Sequence, residues 1–96
     1  MTAYVLAQMS IHDRPVYDAY ASRFFPTLAP YDGRLLAADE RPEVIEGSWP
    51  LEKVVLIAFP DAERAKAWMA SDAYRAISRD REAATTETVL LVAGFG

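Results

Sequence analysis

Val54-Val55-Leu56-Ile57-Ala58-Phe59, closed by Pro60-Asp61, is the stretch that decides the fold. Its residues are mostly β-branched, aliphatic or aromatic, and a proline ends it, so it reads as a strand. It is far shorter than the ~20 apolar residues that a membrane-spanning helix needs. It is also apolar at every position. A strand with one face in water alternates apolar and polar residues, whereas one covered on both faces does not. Val89-Leu90-Leu91-Val92-Ala93 repeats the pattern, and Tyr4-Val5-Leu6-Ala7 nearly does. Both faces of the sheet are therefore expected to be covered.

Working outward, Ala3 to Ile11 reads as a first strand, bounded by His12-Asp13-Arg14-Pro15. Asp13 suits an N-cap and the proline suits a first helical turn, so a helix is expected from there to about Phe25. Val16, Tyr17, Tyr20 and Phe24 form its apolar stripe, and Pro26 stops or kinks it. Pro30-Tyr31-Asp32-Gly33 signals a turn. Arg34 to Asp39 reads as a second strand, resuming over Glu43 to Glu46 after a bend at Pro42. Glu52 to Phe59 is the third strand. Asp61 caps a helix to about Ala70, with Ala62, Ala65 and Met69 on one stripe and Trp68 at its flank. Ser71 caps a third helical stretch, Asp72 to about Ala84, and Thr86 to Ala93 is the last strand. The order β-α-β-β-α-β is the ferredoxin-like α+β arrangement, a four-stranded antiparallel sheet with helices on one face.

A chain of 96 residues is expected to form a single domain, 1–96. At this size folding buries only about 60–65% of the unfolded surface. With no cysteine, disulfides, thiolate metal sites and cysteine nucleophiles are excluded. The helices can cover one sheet face. The second calls for a partner, and a second copy packed sheet to sheet as a homodimer is the simplest one. A net charge of −4 with ten scattered Lys and Arg residues argues against nucleic-acid binding. No segment has the pattern of a signal peptide or a membrane span, so the expected location is cytoplasmic and no membrane partner is expected.

Arg81 is the sharpest candidate for a site. It lies seven residues beyond Tyr74, about 20° away on the helical wheel, and so shares an apolar stripe with Tyr74 and Ile77. A guanidinium there needs a partner. Three readings are open: a structural ion pair with Glu46, an arginine that snorkels out at the helix end, or a clamp for an anionic ligand. Glu46, after the apolar pair Val44-Ile45, is a candidate general acid or base, or an edge carboxylate paired with an arginine. His12 is the only histidine, a candidate lone base or a surface residue at a helix start. Tyr17, Tyr20, Trp68 and Tyr74 read as core aromatics whose polar tips could line a pocket between helices and sheet. Nucleotide-binding glycine motifs, the G-x-S-x-G elbow and the H-E-x-x-H zinc motif are absent.

Together these residues resemble the uncharacterised bacterial family known as domain of unknown function 1330. The resemblance rests on Tyr17 and Tyr20, Pro26, Tyr31 with Gly33-Arg34, Glu46-Gly47 with Trp49, the strand ending at Phe59, Trp68, Ser71 with Tyr74, and Arg81. It departs at Asp32, where a second glycine is usual, and at Asp72, where a proline commonly follows the serine. The resemblance implies a dimeric α/β barrel and no particular activity. Related barrels include cofactor-free monooxygenases, small isomerases and ring-cleavage enzymes, some with haem, which is analogy of fold only.

Two functions follow as expectations. In the first, a homodimer binds or transforms a small anionic or aromatic molecule in a pocket lined by Tyr17, Tyr20, Trp68 and Tyr74. Arg81 and Glu46 are its polar anchors, Glu46 or His12 moves a proton in an enzymatic version, and no cofactor is called for. In the second, the dimer is a non-catalytic accessory protein in which Arg81 and Glu46 form a buried pair. A haem-linked role would need an axial ligand, and only His12 offers the usual one.

Overall fold

The third strand forms as Lys53–Phe59 and takes an inner place in the sheet. The computed structural model describes residues 1–96. Its elements run β1 (Ala3–Ile11), α1 (Arg14–Ser22), two 3₁₀ turns (Phe25–Thr27 and Ala29–Tyr31), β2 (Arg34–Asp39), β3 (Lys53–Phe59), α2 (Ala62–Ala70), α3 (Asp72–Ala84) and β4 (Thr85–Ala93). The sheet order is β2-β3-β1-β4 and every pairing is antiparallel. This is the ferredoxin-like arrangement. No helix is long and apolar enough to cross a membrane.

The helix starts follow from side-chain caps. Asp13 accepts from the Val16 amide at 3.3 Å and Asp61 from the Arg64 amide at 2.8 Å. Ser71 serves two helices. Its hydroxyl donates to the Trp68 carbonyl at 2.7 Å, closing α2, and accepts from the Tyr74 amide at 3.3 Å, opening α3. α1 ends at Ser22 rather than near Phe25. A proline ring clashes with the carbonyl four residues earlier, and the residue four before Pro26 is Ser22. The strand expected over Glu43 to Glu46 does not form, and the irregularity in β2 lies between Leu35 and Ala37 rather than at Pro42. α2 is rotated from its expected stripe: Ala65 and Trp68 are buried while Met69 stays 38% exposed.

In the turn before β2, Asp32 takes the left-handed conformation (φ 56°). Gly33 is needed for a different reason. A Cβ there would lie 2.7 Å from Phe59 Cε1 and 3.0 Å from Leu28 Cδ2.

The strand registers set out the two faces of the sheet. Toward the helices, one row runs Lys53–Met9–Glu87 across β3, β1 and β4. The next is Ala38–Val55–Ala7–Val89, and the next Leu35–Ile57–Val5–Leu91. On the outer face the rows are Asp39–Val54–Gln8–Thr88, Ala37–Leu56–Leu6–Leu90 and Arg34–Ala58–Tyr4–Val92. The outer face is therefore mostly polar at the Gln8 row, wholly apolar at the Leu6 row, and apolar but for Arg34 and the Tyr4 hydroxyl at the last. Trp49, from the β2–β3 connection, donates to Gln8 on that face at 2.8 Å. Leu90 and Val92 on it remain 44% and 40% exposed.

Candidate functional site

Between the helices and the inner face lies a cavity of about 230 Å³. Its floor is the sheet, at Val5, Ala7, Val55, Ile57 and Val89, and its walls include Tyr17, Tyr20, Phe24, Trp68 and Tyr74. Phe25 and Met69 also line it while keeping 64% and 38% exposure, which marks its mouth. A cavity of about 150 Å³ lined by apolar side chains holds benzene. The volume here therefore suits one substituted ring.

The aromatic wall is fixed from several sides. The Trp68 ring lies 4.1 Å from that of Tyr74 and 5.4 Å from that of Phe59, centre to centre. Its indole N–H donates to the Thr27 hydroxyl at 3.0 Å, so this large side chain is both buried and satisfied. The Tyr20 and Tyr74 hydroxyls are 3.3 Å apart and share a hydrogen bond. Burial pushes the Tyr20 phenol far above its ordinary value, and the neighbouring Tyr74 adds to the effect. Tyr20 is therefore a neutral hydroxyl at any physiological pH.

The polar end of the cavity lies along the row Lys53–Met9–Glu87. Arg81, on the last turns of α3, forms an ion pair with Glu87 on β4. The two side chains are only 12% and 14% exposed, and the Arg81 guanidinium carbon is 5.9 Å from the centre of the Tyr74 ring. The Arg81 partner is thus Glu87, correcting the expected pairing with Glu46. α3 passes straight into β4, and the Thr85 hydroxyl donates to the Arg81 carbonyl at 2.7 Å across the junction. The chain reverses there and carries Glu87 beneath the helix. Lys53 supplies the second cation. Its ammonium lies 4.8 Å from the Tyr17 ring centre and 3.7 Å from Glu40. Arg81 and Lys53 are the only charged residues lining the cavity.

Of the residues proposed from sequence, Tyr17, Tyr20, Trp68, Tyr74 and Arg81 come together here. Glu46 and His12 do not. Glu46 is exposed in the β2–β3 connection, beside Val44 and Ile45, which are themselves 47% and 81% exposed. His12 is exposed at the junction of β1 and α1, where its backbone N–H donates to the Ala84 carbonyl at 2.9 Å. Lys53 and Glu87 carry no motif or helical-stripe signal in the sequence. Each shares its strand parity with residues that face the helices, Val55 and Ile57 in one case and Val89 in the other.

The family model described as Domain of unknown function (DUF1330) matches residues 2–95. No curated protein matches the chain. Among solved structures, a protein of unknown function from Rhodopseudomonas palustris is similar with a TM-score of 0.82 at 13% identity, covering 99% of this chain and 83% of that one. A dimeric ferredoxin-like protein of unknown function from Jannaschia sp. CCS1 gives 0.71 at 14% identity, with 98% and 100% covered. SnoaB, a cofactor-independent oxygenase from Streptomyces nogalater, gives 0.68 at 11% identity, with 99% and 94% covered. Identities this low establish a shared fold.

Proposed function

The chain belongs to the DUF1330 family, and on that footing we propose that it is a homodimer binding a small aromatic molecule in the cavity of each subunit. The observation that carries the reading is the cavity itself. It is sized for one ring, walled by Tyr17, Tyr20, Trp68 and Tyr74, and has its charged groups gathered at one end. An apolar enclosure with a few convergent polar groups is the usual form of a small-molecule site. The same fold in SnoaB serves a cofactor-independent oxygenase, which is in keeping with small-molecule chemistry in this architecture. Glu46 and His12 lie outside the cavity lining, and the reading gives them no role in it.

The dimer is supported by the outer sheet face. Leu6, Leu56 and Leu90 share one row there, flanked by Tyr4 and Val92. Contiguous apolar surface of this kind favours burial against a partner, and the Jannaschia neighbour is dimeric.

Neutral 4-methylphenol, followed by amide and methyl chemical shifts, tests the cavity. Saturable shifts are expected at residues along α1, α3 and the inner sheet rows. Ala7→Leu, which fills the floor, is expected to remove them. Shifts scattered over the surface, or binding unchanged in the filled variant, would count against the cavity as the site.

A further inference from the structure

The two cations of the cavity differ in what binding would cost them. Arg81 is committed. Its partner Glu87 is as sheltered as Arg81 itself, and drawing the guanidinium toward a ligand would strand a buried carboxylate. Lys53 is equally sheltered, 12% exposed, but its carboxylate Glu40 is 49% exposed. Glu40 already accepts two hydrogen bonds from Arg14, at 2.6 and 3.2 Å. Those bonds from Arg14 hold the Glu40 carboxyl below its usual range. If Lys53 turns away, Glu40 keeps Arg14 and water, so nothing is left buried and unpaired.

The position of Lys53 fits such an exchange. Its ammonium rests near the face of Tyr17, an aromatic wall of the cavity, and it stands in the same cross-strand row as Met9 and Glu87. A ring lying over Val55, Ala7 and Val89 in the next row would point a substituent toward that ammonium. The substituent must carry charge at neutral pH for the exchange to gain a charge-assisted bond. A simple phenol, with a pKa near 10 like tyrosine, does not; a carboxylate does.

We infer that Lys53 is the anion anchor of the cavity and that the ligand class is a single-ring aromatic carboxylate, the ligand replacing Glu40 as the partner of Lys53. This rests on the cavity being a ligand site. Arg81, in this assignment, is a fixed wall.

The test compares benzoate with benzamide, its neutral counterpart of similar shape, by chemical-shift titration of the wild type, Lys53→Met and Glu40→Gln at pH 7. The wild type is expected to bind benzoate about tenfold tighter, the difference between a charged and a neutral hydrogen bond. Lys53→Met is expected to lose that preference while still binding benzamide, and Glu40→Gln to bind benzoate more tightly than the wild type. Equal binding of the two compounds by the wild type, or a preference that survives in Lys53→Met, overturns the assignment of Lys53 and leaves the cavity reading in place. Failure of both compounds and of 4-methylphenol to bind overturns both.

Discussion

Replacing Arg81 by Met should cost far more than replacing Arg81 and Glu87 together. The pair is buried on both sides, at 12% and 14% exposure. Breaking a buried ion pair from one side costs about 3–5 kcal/mol, because the remaining charge has neither water nor a partner. The residual exposure puts this pair at the lower end, about 3 kcal/mol for Arg81→Met and the same for Glu87→Leu. Against a total stability of about 5–15 kcal/mol for a natural domain, that is a large fraction. For a domain of this size 1 kcal/mol moves the melting temperature by about 4–8 °C, so each single variant should melt roughly 12–24 °C lower. In the double variant Arg81→Met/Glu87→Leu no charge is stranded, and two flexible apolar side chains fill the same space. Such replacements are often neutral or stabilising, so the double variant should lie within about 1 kcal/mol of the wild type. Urea denaturation at one fixed protein concentration measures all four proteins, the fixed concentration keeping any dimer contribution constant. If the single variants lose less than about 1 kcal/mol, water already screens the pair as it does at a surface. If the losses simply add in the double variant, the two residues are not partners.

Two other perturbations probe separate parts of the molecule. Tyr20 keeps its proton in the folded state far above its ordinary pKa of 10.0, because burial and then Tyr74 disfavour the phenolate. The unfolded chain releases that proton above about pH 10 and the folded one does not, so stability falls as pH rises past that point. Tyr20→Phe should show a shallower loss between pH 9 and 11 in thermal melts (about those limits), and a loss of the same slope would refute the assignment. On the outer face, Leu90→Glu should convert a dimer to a monomer in sedimentation velocity while leaving the chain folded, since Leu90 is 44% exposed in the single chain. A wild type that sediments as a monomer would refute the sheet-to-sheet arrangement.

The parts of this protein legible in its sequence are those governed by local rules. The apolar strand runs, the caps at Asp13, Asp61 and Ser71, and the breaks at Pro26 and Pro60 each act within a few residues, and they place the elements in order. The aromatic wall was legible for the same reason, since Tyr17, Tyr20 and Tyr74 occupy the apolar stripes of their own helices. What failed was pairing across elements. Glu46 reads as a site carboxylate because it follows Val44-Ile45, yet those two residues are themselves exposed. An apolar neighbour in sequence is not evidence of burial when no strand or helix fixes which way the side chains point. The true partner is six residues from Arg81, just past the junction of α3 and β4.

The period-2 alternation of side chains along a strand points to that partner. In β4, Thr85, Glu87 and Val89 share one parity, and in β3, Lys53, Val55 and Ile57 do. Once a strand's inner face is known, any charged residue of that parity must be paired or functional, because a buried charge is otherwise too costly. Applied to all four strands, the rule singles out two charges, Lys53 and Glu87. β1 has none, and the bulge after Leu35 hands the inner parity of β2 to Ala38 and leaves Asp39 facing outward. Arg81 answers Glu87 from the helix layer. Lys53 has no such buried counterpart and relies on Glu40, half in water and already held by Arg14. That asymmetry, one inner-face charge facing an equally sheltered partner and the other a half-exposed one, is what separates a structural pair from a group available to a ligand.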